Sequence, residues 1–418
     1  MTRRTARNVT LAALCVGYGG YYVCRANLSV TTPLLLAEFG SRGLDSARLG
    51  TIASIGILCY ALMKPFGGVL SDLWTGRGVF LAGMAAAIAA TVAFGLGTGF
   101  ATFAAAWAFN RLVQACGWSS LVKVVSNWVD YRDYGTVMGF LSLSWLMGDV
   151  AGREILGLLM ERGLGWREVF FASAGILGAI FVVCFAVLRE HPPEPPQVNP
   201  DNLFEHGDQS ESPGMKELLG TLLSSPAFWS VASMCCGMTL IRETFNLWTP
   251  KYLTDVAAMA PARAAQWSGV YSSFGALSAI GAGLLTDRVF GGRRGLLLVV
   301  ANALLCMVLL GMASLQAGVS SWVPLALISL AGFIMMGPYS FLGGAMSLDL
   351  GGRHGSATAA GLVDSGGYLG GVLSGWAIGL ITQRAGWGAS FGFLAADAAL
   401  MVAAAWYYWQ HHERLKQP

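Results

Sequence analysis

Ionisable side chains set inside apolar runs carry most of the chemistry this sequence offers. Six are basic: Arg25, Lys64, Arg111, Lys123, Arg153 and Arg242. Five are acidic: Asp149, Glu154, Glu243, Asp364 and Asp397. A charge placed in hydrocarbon is costly, so such residues are candidates for function by default. Arg25 and Arg242 occupy equivalent places in the two halves of the chain. Pseudo-symmetry then sets them facing each other across a central cavity. Two planar guanidinium groups can hold one phosphate dianion through paired N–H···O bonds. Tyr18 and Tyr22 precede Arg25 on the same helix face, where phenols can donate to phosphate or sugar oxygens. Tyr60 and Lys64 form a second i, i+4 set. The plainer alternative is that both arginines pair with carboxylates between helices.

Two acids repeat in the same way. Asp149 and Asp364 lie at matching places in the two halves. Arg153 follows Asp149 by four residues, and Tyr368 follows Asp364 by four. An Asp149–Arg153 pair on one helix face explains the first acid and leaves the second unexplained. The other reading makes both acids compensate Arg25 and Arg242 when no anion is bound, with Arg111 and Arg153 in the same charge balance. Protonation of either acid then accompanies the anion, or an acid recognises an amine on the ligand. Asp397, Glu154 and Glu243 read as structural pairs or interface residues. Glu243 adjoins Arg242 but leaves the helix about 100° away.

These residues need a low-dielectric scaffold, and the composition supplies one. Of 418 residues, 55% are hydrophobic and only 12% charged, against about 25% charged in soluble proteins. Mean hydropathy is +0.57. A spanning helix needs about 20 mostly apolar residues. Twelve such runs are predicted, at 8–36, 48–72, 78–98, 101–126, 135–160, 168–189, 222–250, 265–287, 295–316, 321–347, 356–382 and 388–409. The first run continues to Pro33, too long for a cleaved leader. Residues 191–220 open with His191-Pro192-Pro193-Glu194-Pro195-Pro196, the composition of an extended linker. The expected organisation is therefore an N-terminal bundle (1–190), a linker (191–220) and a C-terminal bundle (221–418), each bundle with six helices. The excess of Lys and Arg on one set of loops predicts cytoplasmic termini and linker. The eight cysteines all fall in predicted spans, which argues against a disulfide framework or a zinc site. No phosphate-binding GK[ST] loop and no nucleophile–base constellation is visible, so neither an ATP-driven pump nor an enzyme is expected. No cofactor and no nucleic-acid partner is implied, and a single working chain is expected.

The halves also repeat at their loops. Gly68-Val69-Leu70-Ser71-Asp72 with Arg77 ends the second span, and Gly283-Leu284-Leu285-Thr286-Asp287-Arg288 ends the eighth. This duplication resembles the loop signature of the major facilitator superfamily. The resemblance implies twelve helices in two pseudo-symmetric bundles and alternating access by rocking of the halves. Asp72, Arg77, Asp287 and Arg288 then act as a conformational latch.

Longer motifs narrow the resemblance. Gly17-Tyr18-Gly19-Gly20-Tyr21-Tyr22-Val23-Cys24-Arg25, Gln114-Ala115-Cys116-Gly117-Trp118 and Trp248-Thr249-Pro250 look like motifs of the organophosphate:phosphate antiporters. So do Gly337-Pro338 and Gly367-Tyr368-Leu369-Gly370-Gly371. That family includes the glycerol-phosphate, hexose-phosphate and glucose-6-phosphate carriers. The resemblance implies exchange of a small phosphate ester for inorganic phosphate in a bacterial inner membrane. It also implies that Arg25 and Arg242 grip the phosphoryl group while Tyr18, Tyr22, Tyr60 and Lys64 line the cavity. Three departures stand out. Ala26 replaces a common lysine. Trp145 stands where the glycerol-phosphate branch has histidine, and stacking on a ligand or plain packing are both open to it. Arg111 stands where the family commonly has glycine, and Arg111-x-x-Gln114 is similar to a span-four motif of proton-coupled facilitators. Two alternatives follow: a proton-coupled carrier of sugar-acid-type anions, and a transporter-like sugar-phosphate sensor.

Overall fold

The computed structural model describes residues 3–129, 131–192, 215–289, 294–343 and 345–413. The described residues are almost entirely helical. The helices are α1 (Arg3–Phe39), α2 (Ser46–Leu73), α3 (Gly76–Gly95), α4 (Phe100–Gln114), α5 (Cys116–Trp128), α6 (Tyr131–Glu161) and α7 (Trp166–Val187). They continue with α8 (Met215–Ser224), α9 (Pro226–Ala257), α10 (Pro261–Trp267), α11 (Val270–Val289), α12 (Arg294–Ala313), α13 (Trp322–Gly343) and α14 (Ala345–Tyr408). Among the described residues, six helices pass on both length and hydropathy as membrane spans. Helices α1, α6 and α9 are long enough but carry polar and charged residues within their apolar runs.

Two predicted spans differ in detail. The fourth is split at Ala115 into α4 and α5, because the Ala115 N–H reaches back three residues to Leu112 and tightens the turn. The last two are traced as one continuous helix, α14. That helix nevertheless reverses. Gly386 has φ +79°, a left-handed conformation that glycine adopts without steric cost. The hydroxyls of Thr382 and Ser390 lie 2.8 Å apart across it. Eight residues of straight helix would separate them by about 12 Å. α14 is thus a helical hairpin, and its two arms are the predicted eleventh and twelfth spans.

The chain divides into two compact units. The first comprises Met1–Leu34 and Ile55–Glu211, the second Leu35–Ser54 and Ser212–Pro418. Within the first, Leu14, Tyr18, Tyr21, Cys24, Phe80 and Leu177 form one buried cluster. The Tyr21 hydroxyl donates to the Phe80 carbonyl at 2.7 Å, which satisfies its polar end inside an apolar core. α1 and α6 meet backbone to backbone: a Cβ on Gly148 would overlap the carbonyl of Gly19. Such small residues let helices approach closely where lipid gives no hydrophobic drive.

The second unit repeats this device between α9 and α14. A Cβ on Gly370 would overlap the carbonyl of Cys236. The segment Leu35–Ser54 is seated in this unit as well. Ser54 donates to the Val372 carbonyl and accepts from the Trp376 N–H. Trp248 donates to the Ser374 carbonyl at 2.9 Å and packs its ring against Gly50 and Gly379. All eight cysteines are free thiols.

Candidate functional site

In the first unit, Arg25 is held from two sides. Its Nε donates to Gln114 Oε1 at 2.6 Å, and its Nη1 donates to the Tyr22 hydroxyl at 3.0 Å. Its Nη2 is buried with no hydrogen-bond partner. The Tyr22 ring lies under the guanidinium, 4.4 Å from ring centre to Cζ, and the Tyr60 ring lies at 4.8 Å. Gln114 is itself fixed, since its Nε2 donates to Asn110 Oδ1 at 2.6 Å and Asn110 donates to Thr91 and the Ala87 carbonyl. This relay sets the amide so that its oxygen, not its NH2, meets the arginine. Tyr18 sits edge-on to Tyr22 and tilted against Trp118, and Trp145 is tilted over Tyr22. Trp145 therefore packs on the tyrosine that holds Arg25.

Arg111 reaches the same place from α4. Its Cζ lies 4.9 Å from the Tyr60 ring centre. Gly56, one turn before Tyr60, makes room for it: a Cβ there would come within 2.8 Å of Arg111 Cγ. Lys64 stands one turn beyond Tyr60 on α2 and adds its charge near the same ring.

In the second unit, Arg242 is held similarly by a tyrosine. Its Nη1 donates to the Tyr339 hydroxyl at 3.0 Å, with the ring 4.8 Å from Cζ. Its Nε is buried without a partner. Its Nη2 meets Glu243 Oε1 at 2.8 Å. The helical angle between neighbours separates these two Cα–Cβ bonds, but both side chains are long enough to turn back and meet. Asp364 and Tyr368, one turn apart on α14, add to the charge environment of Arg242.

Asp149, on α6, meets the next turn of its own helix. Arg153 Nε donates to Asp149 Oδ2 at 2.9 Å, and both side chains are almost fully buried. Arg153 Nη1 also donates to Ser29 on α1 at 3.3 Å. The i, i+4 ion pair is present, and it ties α6 to α1.

The sequence profile of the Major Facilitator Superfamily matches residues 14–357. The chain belongs to that superfamily. A bacterial homologue of the human lysosomal transporter Spinster, solved facing inward, superposes with a TM-score of 0.74 at 14% identity, over 97% of this chain and 96% of that one. A probable hexose phosphate transport protein of Chlamydia pneumoniae is 25% identical over 407 residues, 93% of this chain and 88% of the relative. A glycerol-3-phosphate transporter of Bacillus subtilis is 27% identical over 408 residues, again 93% and 88%. The protein is thus a facilitator-type membrane transporter with the helical facilitator fold, and not an enzyme.

The loop residues Asp72 and Arg77 each take partners from elsewhere in the first unit. Asp72 pairs with Lys123 at 2.7 Å, on the solvent side. Arg77 donates to the Leu188 and Phe185 carbonyls at the end of α7. The side chains of Asp287 and Arg288 lie outside the described residues. A repeated feature of the two halves was not anticipated. Glu190, after α7, accepts the Gly76 and Arg77 N–H groups at the start of α3. Glu413, after α14, accepts the Arg294 and Gly295 N–H groups at the start of α12. In each half the last helix ends by capping the third, where free N–H groups and the helix dipole favour a carboxylate.

Gln114 and Tyr339 hold the two arginines and were not foreseen in that role. Gln114 lies three residues after Arg111, which places both on one face of α4. Tyr339 follows Pro338 directly, and a tyrosine beside a helix-disrupting proline inside a span is the available signal for it.

Proposed function

We propose that the protein exchanges a small organic phosphate ester for inorganic phosphate by alternating access in a bacterial inner membrane, with both termini cytoplasmic. One observation carries this reading. Arg25 is half-buried, fixed by Gln114 and Tyr22, and its Nη2 is buried without a hydrogen-bond partner. A buried donor left unmade is expensive, and a phosphoryl oxygen is the acceptor that a fixed guanidinium suits best. Arg242, with an unpartnered Nε, is the second phosphate ligand. Tyr18, Tyr22, Tyr60, Lys64, Trp145 and Tyr368 line the ligand's path. Relatives of similar length carry hexose phosphate or glycerol phosphate by name.

The charge balance gives exchange its logic. Unmatched guanidinium charge resists being closed off from water, whereas the anion-loaded site is neutralised. Only the loaded carrier then reorients. Asp364, whose charge acts on Arg242, is the candidate compensating acid, while Asp149 is occupied by Arg153. Asp72 and Arg77, with Asp287 and Arg288, are proposed to restrain reorientation.

Purified protein in liposomes loaded with labelled inorganic phosphate tests this. Efflux that needs an external phosphate ester, and that is lost in Arg25→Lys, is the expected result. Efflux indifferent to external esters, or proton-driven uptake of unphosphorylated acids alone, would overturn it. No flux despite ester binding would make the protein a receptor.

A further inference from the structure

Two ion pairs within the spans are built differently. Asp149 and Arg153 sit one turn apart, so both leave α6 on one face. Their side chains are 9% and 3% exposed, and Ser29 anchors the arginine. Arg242 and Glu243 are neighbours on α9, so their Cα–Cβ bonds leave the helix about 100° apart. The carboxylate must turn back to reach the guanidinium at 2.8 Å, and the two side chains stay partly open, at 15% and 17%. Among the described residues, no second donor holds Glu243.

The grip of Glu243 is also incomplete. The Nε–H of an arginine and one N–H of its Nη2 lie along one edge and point the same way, which lets an oxyanion take both in parallel. On Arg242, Glu243 takes only Nη2, and Nε stays buried with no hydrogen-bond partner. Nη1 is engaged separately, donating to the Tyr339 hydroxyl at 3.0 Å with the ring 4.8 Å from Cζ. Tyr339 is held in turn, its hydroxyl 3.3 Å from that of Thr239. The guanidinium is thus fixed from one side. Its two-donor edge is half filled by a carboxylate bent back along its own helix. Of the two carboxylates whose charge acts on Arg242, Glu243 acts more strongly than Asp364. A phosphoryl group brings up to two charges and three acceptor oxygens, so it can fill both donors where Glu243 fills one.

We infer that Glu243 is a resident anion: it occupies the phosphate-binding edge of Arg242 in the empty carrier, and the incoming phosphoryl group displaces it. This rests on the phosphate-ester reading above and deepens it. Displacement needs only rotation of the Glu243 side chain, toward the direction its own Cα–Cβ bond already sets. Two consequences follow from the competition. Affinity is lowered, because the ligand must break an ion pair before it can use Nη2. Release is eased, because Glu243 returns as the ligand leaves and Arg242 does not pass through a state with no counter-charge in contact. Glu243 therefore trades affinity for turnover.

The test is equilibrium binding of glycerol phosphate and of inorganic phosphate to the purified full chain. Wild type, Glu243→Gln and Glu243→Asp are compared. Glutamine removes the competing charge. Aspartate keeps the charge but is one methylene short of the reach that the contact needs. The expected result is that both variants bind about tenfold more tightly than wild type, the fold-change of one hydrogen bond to a charged group. In proteoliposomes the KM for the ester should fall and turnover should fall with it, whereas a merely structural Glu243 would weaken binding when replaced. Unchanged or weaker binding by a folded Glu243→Gln would overturn the proposal and leave the phosphate-ester reading standing. So would a Glu243→Asp that binds like wild type while Glu243→Gln binds more tightly, since the charge and not the contact would then act. If neither variant folds, Glu243 is a structural partner and the proposal falls. Wild type and variants that bind neither phosphate nor its ester overturn both readings.

Discussion

Gln114 on α4 accepts the Nε–H of Arg25 on α1 at 2.6 Å, and this bond aims the arginine's remaining donors. A hydrogen bond to a charged group contributes about 1.5–3 kcal/mol. Gln114→Leu should therefore lower phosphate-ester exchange about tenfold or more, while Gln114→Glu should lower it further by occupying Arg25 with a fixed carboxylate. Counterflow in proteoliposomes measures both. Equal activity of Gln114→Leu and wild type would show that the bond does not position Arg25.

The Asp149–Arg153 pair is buried, hydrogen-bonded and anchored on Ser29. Removing one member leaves a charge stranded, at a cost of about 3–5 kcal/mol. Asp149→Leu and Arg153→Met should each destabilise the protein in detergent. The double variant should recover most of the loss, because volume is kept and neither charge remains. Thermal unfolding of the four proteins gives the coupling energy directly. A double variant as unstable as the sum of the singles would point to separate roles for the two residues.

Close helix approach makes a third expectation. Gly370→Ala places a methyl group on the Cys236 carbonyl, and neither backbone can move aside cheaply. Overpacking of this kind costs about 1–3 kcal/mol. Gly392→Ala on the same helix, with open space beyond its Cα, should be nearly silent. The two thermal midpoints should separate accordingly.

Asp45 gives a pH dependence outside the spans. It precedes α2 and accepts the Arg48 N–H at 2.8 Å and the Gln383 amide at 2.9 Å. Partial burial alone would raise its pKa. The Arg48 N–H, the Gln383 amide and the Arg48 charge outweigh burial and hold it below the usual carboxylate range. A depressed carboxyl contributes stability that is full above its unfolded pKa, near 3.9, and is lost as pH falls through the lower folded value. The contact should thus survive acidification to pH 4. Hydrogen exchange at the Arg48 amide, compared between wild type and Asp45→Ala, reads this. Protection lost already at pH 5 in wild type would contradict it.

What the sequence disclosed follows the reach of helical periodicity. Tyr22 and Arg25 are three residues apart on one turn, so their contact is legible without a fold. The equivalence of Arg25 and Arg242 is legible because both halves keep the same order of spans. Gln114 and Tyr339 touch those arginines from helices 89 and 97 residues away, and no local pattern encodes such a meeting. The Arg242–Glu243 contact escaped for a different reason. Helical angles fix where side chains start, not where a four- or five-bond chain ends. Nor does any local pattern encode the contacts of Arg77, which donates to the Leu188 and Phe185 carbonyls more than a hundred residues further along the chain.

The carboxylate of Glu413 secures the first turn of α12 from beyond the end of α14. Protein engineers usually treat the tail of a transporter as a free attachment point. Here, a fluorescent fusion or affinity handle grafted directly after Tyr408 would strip a cap from a helix more than a hundred residues upstream. Placed after Glu413, the same graft would leave that helix start covered.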